Sequence, residues 1–278
     1  MRKLILSLLM IAVISIGAVM ITACSSESPV PGVAWAEKET LTYEIKEGDT
    51  LIGTLTVVSE RLKGGEYKIE RLREEPFKLS SGSARVTKVA TDTQGKEIMY
   101  SESLLNGFTS LASYKKVDYN GVSYENKVYH EGRYFYYSKN GGDYKRIKAN
   151  GGYADNELLY NIIRLYDIDG GYSSEYKVLS PNTDSLEKIA VSVSDDATNF
   201  ALRYTDRNGG QQEQTVACLK AVFRKTESPS GQPISVWYAK SSFILKGSSV
   251  SPRNESFYIP VKIVENNLTY SLINAKAE

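Results

Sequence analysis

Hydrophobic and polar positions follow three rhythms along this chain. Leu4 to Ile21 is an almost unbroken apolar run, interrupted only by Ser7, Ser15 and Gly17, and is long enough to cross a bilayer as a helix. From Thr40 onward the period is two. Leu41, Tyr43 and Ile45 alternate with Thr40, Thr42, Glu44 and Lys46, and the alternation returns at Ile189, Val191, Val193 and at Phe200, Leu202, Tyr204. Each run predicts a half-buried strand. Between them lie hairpin signals: Lys63-Gly64-Gly65, Thr93-Gln94-Gly95, Asn120-Gly121, Asn140-Gly141-Gly142 and Arg207-Asn208-Gly209-Gly210. Asparagine and glycine accept the positive φ of tight turns. Val216 to Phe223 is apolar on both faces except at Lys220, which predicts a central strand. Ile259, Val261, Ile263 and then Leu268, Tyr270, Leu272 predict a last pair across Asn266-Asn267. The third rhythm is helical. Leu158, Leu159, Ile162, Ile163 and Tyr166 share one face, with Asp155 placed to cap the start and Gly170-Gly171 to end the run. The pattern predicts an α+β chain, mainly β: a curved antiparallel sheet or partly closed barrel whose concave face is covered by one principal helix.

The apolar run at the start reads differently once its flanks are included. Arg2 and Lys3 precede it, which makes a secretory signal peptide. Ile21-Thr22-Ala23-Cys24 resembles the lipobox of bacterial lipoproteins. That resemblance implies a diacylated Cys24 thiol, cleavage before Cys24, and acylation of the new amine. Two acyl chains anchor stably where one holds marginally, at about 0.8 kcal/mol per buried methylene. The expected division is residues 1–23 as lipoprotein signal peptide, 24–38 as lipidated cysteine and flexible tether, and 39–278 as an exported β-rich domain. Serine, proline, glycine and glutamate dominate the tether, with Trp35 the exception and the expected first docked residue. The expected location is the cell membrane, lipid-anchored and facing outside the cytoplasm. In a cell with two membranes, Ser25 lacks the aspartate that marks inner-membrane retention, which points to the outer membrane. The membrane, reached through acyl chains on Cys24, is the expected partner.

Composition removes several function classes. The chain has 34 Lys and Arg against 33 Asp and Glu, without a basic stripe, which argues against nucleic acid as a partner. Of two cysteines, Cys24 is used by the anchor, leaving Cys218 with no intramolecular disulfide. Cys218 sits among Val216, Ala217 and Leu219 and reads as an inert core thiol. His130 is the sole histidine, beside a turn, and no Gly-x-Ser-x-Gly elbow offers it a nucleophile. Ser113-Tyr114-Lys115-Lys116 and Ser185-Leu186-Glu187-Lys188 have Ser-x-x-Lys spacing but lack the partner motifs of penicillin-binding enzymes. Asp167-Ile168-Asp169-Gly170 begins like a calcium loop without its later ligands and reads as a turn ending the helix. The expectation is therefore a non-enzymatic protein with no catalytic residues, metal or cofactor.

Short motifs carry a family resemblance. Leu41-Thr42-Tyr43-Glu44-Ile45 followed by Ile52-Gly53-Thr54-Leu55 resembles the opening of an exported bacterial family, domain of unknown function 3108. Trp237-Tyr238-Ala239 and Ile259-Pro260-Val261-Lys262-Ile263 resemble its close, and the helix near Leu158 to Arg164 lies where that family has one. Lys240 to Tyr258 is a longer separation than the family leads one to expect. The resemblance implies a curved sheet with a helix, a shape shared by lipoprotein carriers.

Tyrosine is the remaining signal. Of 20 tyrosines, 14 lie between Tyr100 and Tyr176, including Tyr114, Tyr119, Tyr124, Tyr129 and Tyr134 at intervals of five, and the cluster Tyr134-Phe135-Tyr136-Tyr137. A tyrosine-laced meander accounts for this, since aromatic residues favour strands and pair across them. A stacking surface for a sugar or an apolar ligand is the sharper reading. The candidate ligand-binding residues are Tyr129, Tyr134, Tyr136, Leu159, Ile162 and Ile163. Three functions compete. First stands a binding or structural module of the cell envelope, with an apolar-ligand cavity between sheet and helix and a lipid, glycan or envelope protein as partner. A carbohydrate-binding surface on the tyrosine-rich region is second, and a hydrolase third.

Overall fold

The computed structural model describes residues 35–107, 109–148, 153–169, 171–180, 184–227, 231–246 and 255–278. The apolar run, the Cys24 motif and the tether up to residue 34 lie outside the described residues. No helix among the described residues is long and apolar enough to cross a membrane.

Alternation becomes strand as expected. In β1 (Lys38–Glu47), Leu41, Tyr43 and Ile45 are buried between partly exposed neighbours. It pairs with β2 (Thr50–Leu62), which leaves the sheet for the small hairpin β3 (Gly65–Tyr67) and β4 (Phe77–Leu79). Lys63-Gly64-Gly65 thus starts an excursion, and the partner of β2 is β5 (Ser83–Asp92). A meander follows through β6 (Glu97–Asn106), β7 (Thr109–Tyr119), β8 (Val122–Glu131), β9 (Tyr134–Lys139) and β10 (Lys145–Lys148). Its β7–β8 turn has φ 49° at Asn120 and 76° at Gly121, the positive pair that Asn-Gly supplies.

After β11 (Tyr153–Ala154), the second half comprises β12 (Tyr172–Ser180), β13 (Ser185–Thr205), β14 (Gln211–Lys225) and β15 (Ile234–Ala239). The short β16 (Leu245–Lys246) and β17 (Glu255–Ser256) pair within the long connection after Lys240. The chain finishes with β18 (Pro260–Glu265) and β19 (Leu268–Ala277), joined across Asn266-Asn267 as predicted. Fifteen described strands form one sheet, ordered β10-β9-β8-β7-β6-β5-β2-β1-β19-β18-β15-β14-β13-β12-β11. Pairing is antiparallel except between β11 and β12 and where β13 meets β19.

The sheet closes on itself twice, by different means. Beyond a bulge between Asp196 and Asn199, the far end of β13 pairs with β19, Tyr204 opposite Ala275, closing a five-stranded barrel. The bulge explains the apparently two-faced Val216–Phe223. Val216 and Cys218 are buried, Ala217 is exposed, and burial then shifts phase to Leu219, Ala221 and Phe223. Cys218 faces Asp196 across the bulge, so the strand changes its buried face there rather than burying both. The second closure brings the two sheet ends together through side chains. The Phe135 ring on β9 lies 3.6 Å from Tyr153 on β11, and Leu179 on β12 packs with Val128, Phe135 and Tyr137. Lys145 on β10 pairs with Asp184 at 2.6 Å.

The helix is shorter than the pattern predicted. α1 spans only Leu159–Ile163, its N-cap is Leu158 rather than Asp155, and Tyr166 lies beyond its end. So short a helix has little stability of its own. Side chains hold it. Residues 155 to 164 step across the concave face: Asp155 reaches Ser113 on β7, Glu157 reaches Ser101 on β6, Asn161 reaches Ser59 on β2 and Arg164 reaches Glu39 on β1. Beside this last contact Trp35, the expected first docked residue, and Ala36 are buried, and β1 begins at Lys38.

Candidate functional site

Strand registry builds the site. Lys88 on β5 is opposite Ser101 on β6, Ser101 is opposite Lys115 on β7, and Lys115 is opposite Asn126 on β8. These four form one row on the concave face. Glu157, held over the row by the crossing segment, receives a hydrogen bond from Lys115 Nζ at 2.8 Å and lies 3.6 Å from Lys88 Nζ. Burial alone would push the Glu157 carboxyl up, but the two ammonium groups overcome it and hold its pKa down to about 2. Burial likewise opposes the charge on Lys115, and Glu157 again prevails, so Lys115 stays an ammonium. For Lys88 burial wins and its pKa is lowered. Buried charges persist only when paired in this way.

Asp155 anchors the entry of the crossing segment. Its Oδ2 accepts from Ser113 Oγ at 2.6 Å, its Oδ1 from the Glu157 N–H at 2.7 Å, and its own N–H donates to Ser110 Oγ at 2.8 Å. Burial is the largest influence and raises its pKa to about 6. Beside this network lies a cavity of about 590 Å³. Lys115, Asn126, Asp155, Glu157 and Glu265 form its charged and polar floor, Leu159, Val178, Leu179, Ile189, Phe223 and Ile234 form an apolar wall, and Glu187 and Lys225, an ion pair at 2.7 Å, also line it. Asn126 Oδ1 is shielded from solvent without a hydrogen-bond partner among the described residues. Glu265 forms no ion pair among them, and burial raises its pKa.

Of the six sequence candidates, the structure puts only Leu159 on the cavity. Ile162 and Ile163 are buried in the main core. Tyr129 and Tyr136 are cross-strand partners with centroids 5.0 Å apart and planes at 10°, the expected ladder. They face away from the cavity, because Asn126 and Val128 of the same strand line it and side chains alternate. Tyr144 meets Tyr129 edge-on at 5.4 Å, Arg73 lies over it at 5.1 Å, and Phe77 of the small hairpin packs nearby. This cover leaves Tyr129 little open ring face. Tyr134 carries Arg146 over its ring at 5.0 Å.

The other singled-out residues also have structural roles. His130 stacks on Phe135 at 4.7 Å, and burial lowers its pKa. Cys218 is fully buried and its thiol is pushed up to about 12 by burial. Both Ser-x-x-Lys segments lie on strands, which cannot give the one-turn helical geometry. Asp167 accepts from Tyr258 Oη at 3.0 Å and Asp169 from Ser241, so the pair fastens the turn after α1 to the β15–β18 connection.

The buried charges had a signal in the sequence. Glu39 shares parity with Leu41, Tyr43 and Ile45, Lys88 with Val86 and Ala90, and Glu265 with Val261 and Ile263. A charged residue in phase with a buried face points inward.

No protein-family model matches the chain, and no curated protein matches it. Among solved structures it is similar to a β-barrel-like protein of domain of unknown function DUF1849 from Brucella abortus, 9% identical, with a TM-score of 0.46. The match covers 88% of this chain and 100% of that one. The chain is a β-rich protein built on one large curved, mainly antiparallel sheet.

Proposed function

We propose that this is a non-enzymatic cell-envelope lipoprotein, anchored through acyl chains on Cys24, whose β-rich domain binds a small amphiphilic molecule in the cavity between sheet and crossing segment. The cavity carries the reading: an apolar wall faces a charged floor in a space of about 590 Å³, within the range of roughly 300–1,000 Å³ for small-molecule sites. Chemistry on the floor favours binding over catalysis. Lys115 is held charged by Glu157 and offers no base to Ser113, whose hydroxyl is already donated to Asp155. A kinship with domain of unknown function 3108 belongs to the same reading. Its four motif segments fall on β1, β2, β15 and β18, within one stretch of five neighbouring strands.

Two experiments test the proposal. Wild-type protein should unfold at higher denaturant concentration in the presence of envelope lipid extract, because a ligand of the native state stabilises it; Leu159→Trp, which fills the cavity, should remove the shift. No shift for wild type would refute the binding site. Labelled palmitate should enter wild type and not Cys24→Ala, and label in the variant would refute the anchor.

A further inference from the structure

A sheet edge left unpaired offers its backbone groups to another strand, and this fold guards its edges unequally. The two ends of the long sheet cover each other through side chains, and β10 there also carries Lys145, Arg146 and Lys148. Another edge lies on the long hairpin of β13 and β14. β15 accompanies β14 only from Phe223 to Cys218, so Gln211 to Ala217 has β13 as its one strand partner among the described residues. Gln211, Gln212, Glu213, Gln214 and Thr215 are all exposed. No lysine or proline interrupts them, and the single charge, Glu213, is paired with Arg203 at 2.7 Å. The phase of the backbone is fixed at both ends of this stretch. Gly210 O accepts from the Asp206 N–H on the β13 side at 2.9 Å, and Ala217 O accepts from the Lys240 N–H on the opposite side at 3.0 Å. Backbone groups alternate sides along a strand, so Gln212, Gln214 and Val216 bond towards β13, while the N–H and C=O of Glu213 and Thr215 point outward with no described strand to meet.

We propose that this edge pairs with the same edge of a second copy of the chain, antiparallel and centred on Gln214, to form a two-fold symmetric dimer. Glu213 then lies opposite the partner's Thr215, and each such pair exchanges two backbone hydrogen bonds. Gln214 faces the partner's Gln214 in a non-hydrogen-bonded pair, with Cα atoms about 4.5 Å apart. An amide is donor and acceptor at once, so the two glutamine side chains can satisfy each other. Glu213 meets a hydroxyl and not a second carboxylate, so the register places no like charges opposite one another. A copy of this chain therefore brings the matching strand with it, as a two-fold contact requires. So short a ladder belongs to the small, transient class of interfaces. The surface is separate from the cavity, whose lining includes none of these residues.

The test is oxidative cross-linking of the full chain in lipid vesicles, with wild type as the control for Cys24 and Cys218. Gln214→Cys should give a disulfide-linked dimer, because the central pair holds its Cα atoms within disulfide range. Gln212→Cys, exposed on the same face, should not, since in this register it lies opposite the partner's Val216 and far from its own copy. Adding Thr215→Pro to Gln214→Cys should lower the yield at least ten-fold. The proline removes an N–H that points away from β13, so the hairpin keeps its own ladder and only the contact between copies is lost. Should Thr215→Pro fail to fold by its thermal transition, Gln214→Lys and Gln214→Glu take its place: each alone should sediment as monomer in detergent, and their equimolar mixture as dimer. Equal cross-linking of Gln214→Cys and Gln212→Cys, no cross-linking of either, a yield indifferent to Thr215→Pro in a folded protein, or a mixture no heavier than its components overturns the proposal. Binding of an unrelated extended peptide at this edge, by a protein whose Gln214→Cys variant does not cross-link, would assign the edge to a foreign strand and equally overturn the dimer.

Discussion

Arg164 and Glu39 lie 125 residues apart in sequence and meet inside the fold with no side-chain exposure on either partner. Two parallel hydrogen bonds join them, Nη1 to Oε1 at 2.8 Å and Nη2 to Oε2 at 2.7 Å, the bidentate geometry that suits guanidinium and carboxylate. Arg164 also donates to the Phe257 carbonyl and lies 5.6 Å from the Trp35 ring centroid. One side chain therefore joins the end of α1, the first strand and the segment leading to β18. Replacing Arg164 by Met would keep much of the volume and strand a buried carboxylate, which costs about 3–5 kcal/mol. Against a typical domain stability of about 5–15 kcal/mol, that is a large fraction. Glu39→Leu alone should cost a similar amount by stranding the guanidinium. The double variant should recover most of the loss, because neither charge is then left alone. Urea unfolding of the four proteins, followed by circular dichroism and by the fluorescence of Trp35 and Trp237 together, measures the cycle. A loss under about 1 kcal/mol for Arg164→Met, or additive single variants, would refute the clamp.

Ile162→Ala should cost about 2–5 kcal/mol whether or not ligand is present, because Ile162 is enclosed by the core, whereas Leu159, in the same core but also lining the cavity, should cost less as Leu159→Ala and weaken ligand binding. Paired denaturation and titration data separate the two, and equal stability losses would contradict the placement. A Cβ at Gly53 would lie 1.9 Å from the Thr91 carbonyl oxygen, so Gly53→Ala should force β2 and β5 apart and cost about 1–3 kcal/mol by urea unfolding; a neutral result would refute the close approach. Asp155 has a folded pKa of about 6 against an unfolded value near 3.9, so its protonated form favours folding below pH 4 and that contribution is lost as pH rises through 6. Asp155→Asn should flatten the pH dependence of the urea midpoint between pH 4 and 7, and an unchanged slope would contradict the shift. Glu157 has the opposite sign: with its pKa held at about 2, its stabilisation is present above about pH 4.3 and declines as pH falls through 2, a decline Glu157→Gln should abolish.

Strands and turns were legible because their information is local. Leu41, Tyr43 and Ile45 carry the period of β1, and Asn120-Gly121 carries its turn geometry, without reference to distant residues. The helix was overread for a related reason: Leu158 to Tyr166 has an apolar stripe, but it is buried because the segment crosses a concave sheet, and a stripe does not say how many turns will form. The charged row beside the cavity was least legible. Lys88, Lys115, Asn126 and Glu157 become one group only through the registers of β5 to β8 and a crossing segment tens of residues away. The tyrosines were conspicuous, but Tyr129 and Tyr136 pair on the face opposite the cavity, and of the series at intervals of five it is Tyr124 that lines it.

The side-chain closure between β9–β10 and β11–β12 has a mechanical consequence. A ladder fixes two strands in register and resists separation rung by rung. Here the parting faces are rings, Phe135 on Tyr153, aliphatic packing at Val128 and Leu179, and the exposed pair of Lys145 with Asp184, which salt screens. Val128 and Leu179 also line the cavity. Val128 and Leu179 therefore belong to the seam and to the cavity wall at once, so a substitution at either is felt by both, while the backbone hydrogen bonds of the long sheet are untouched.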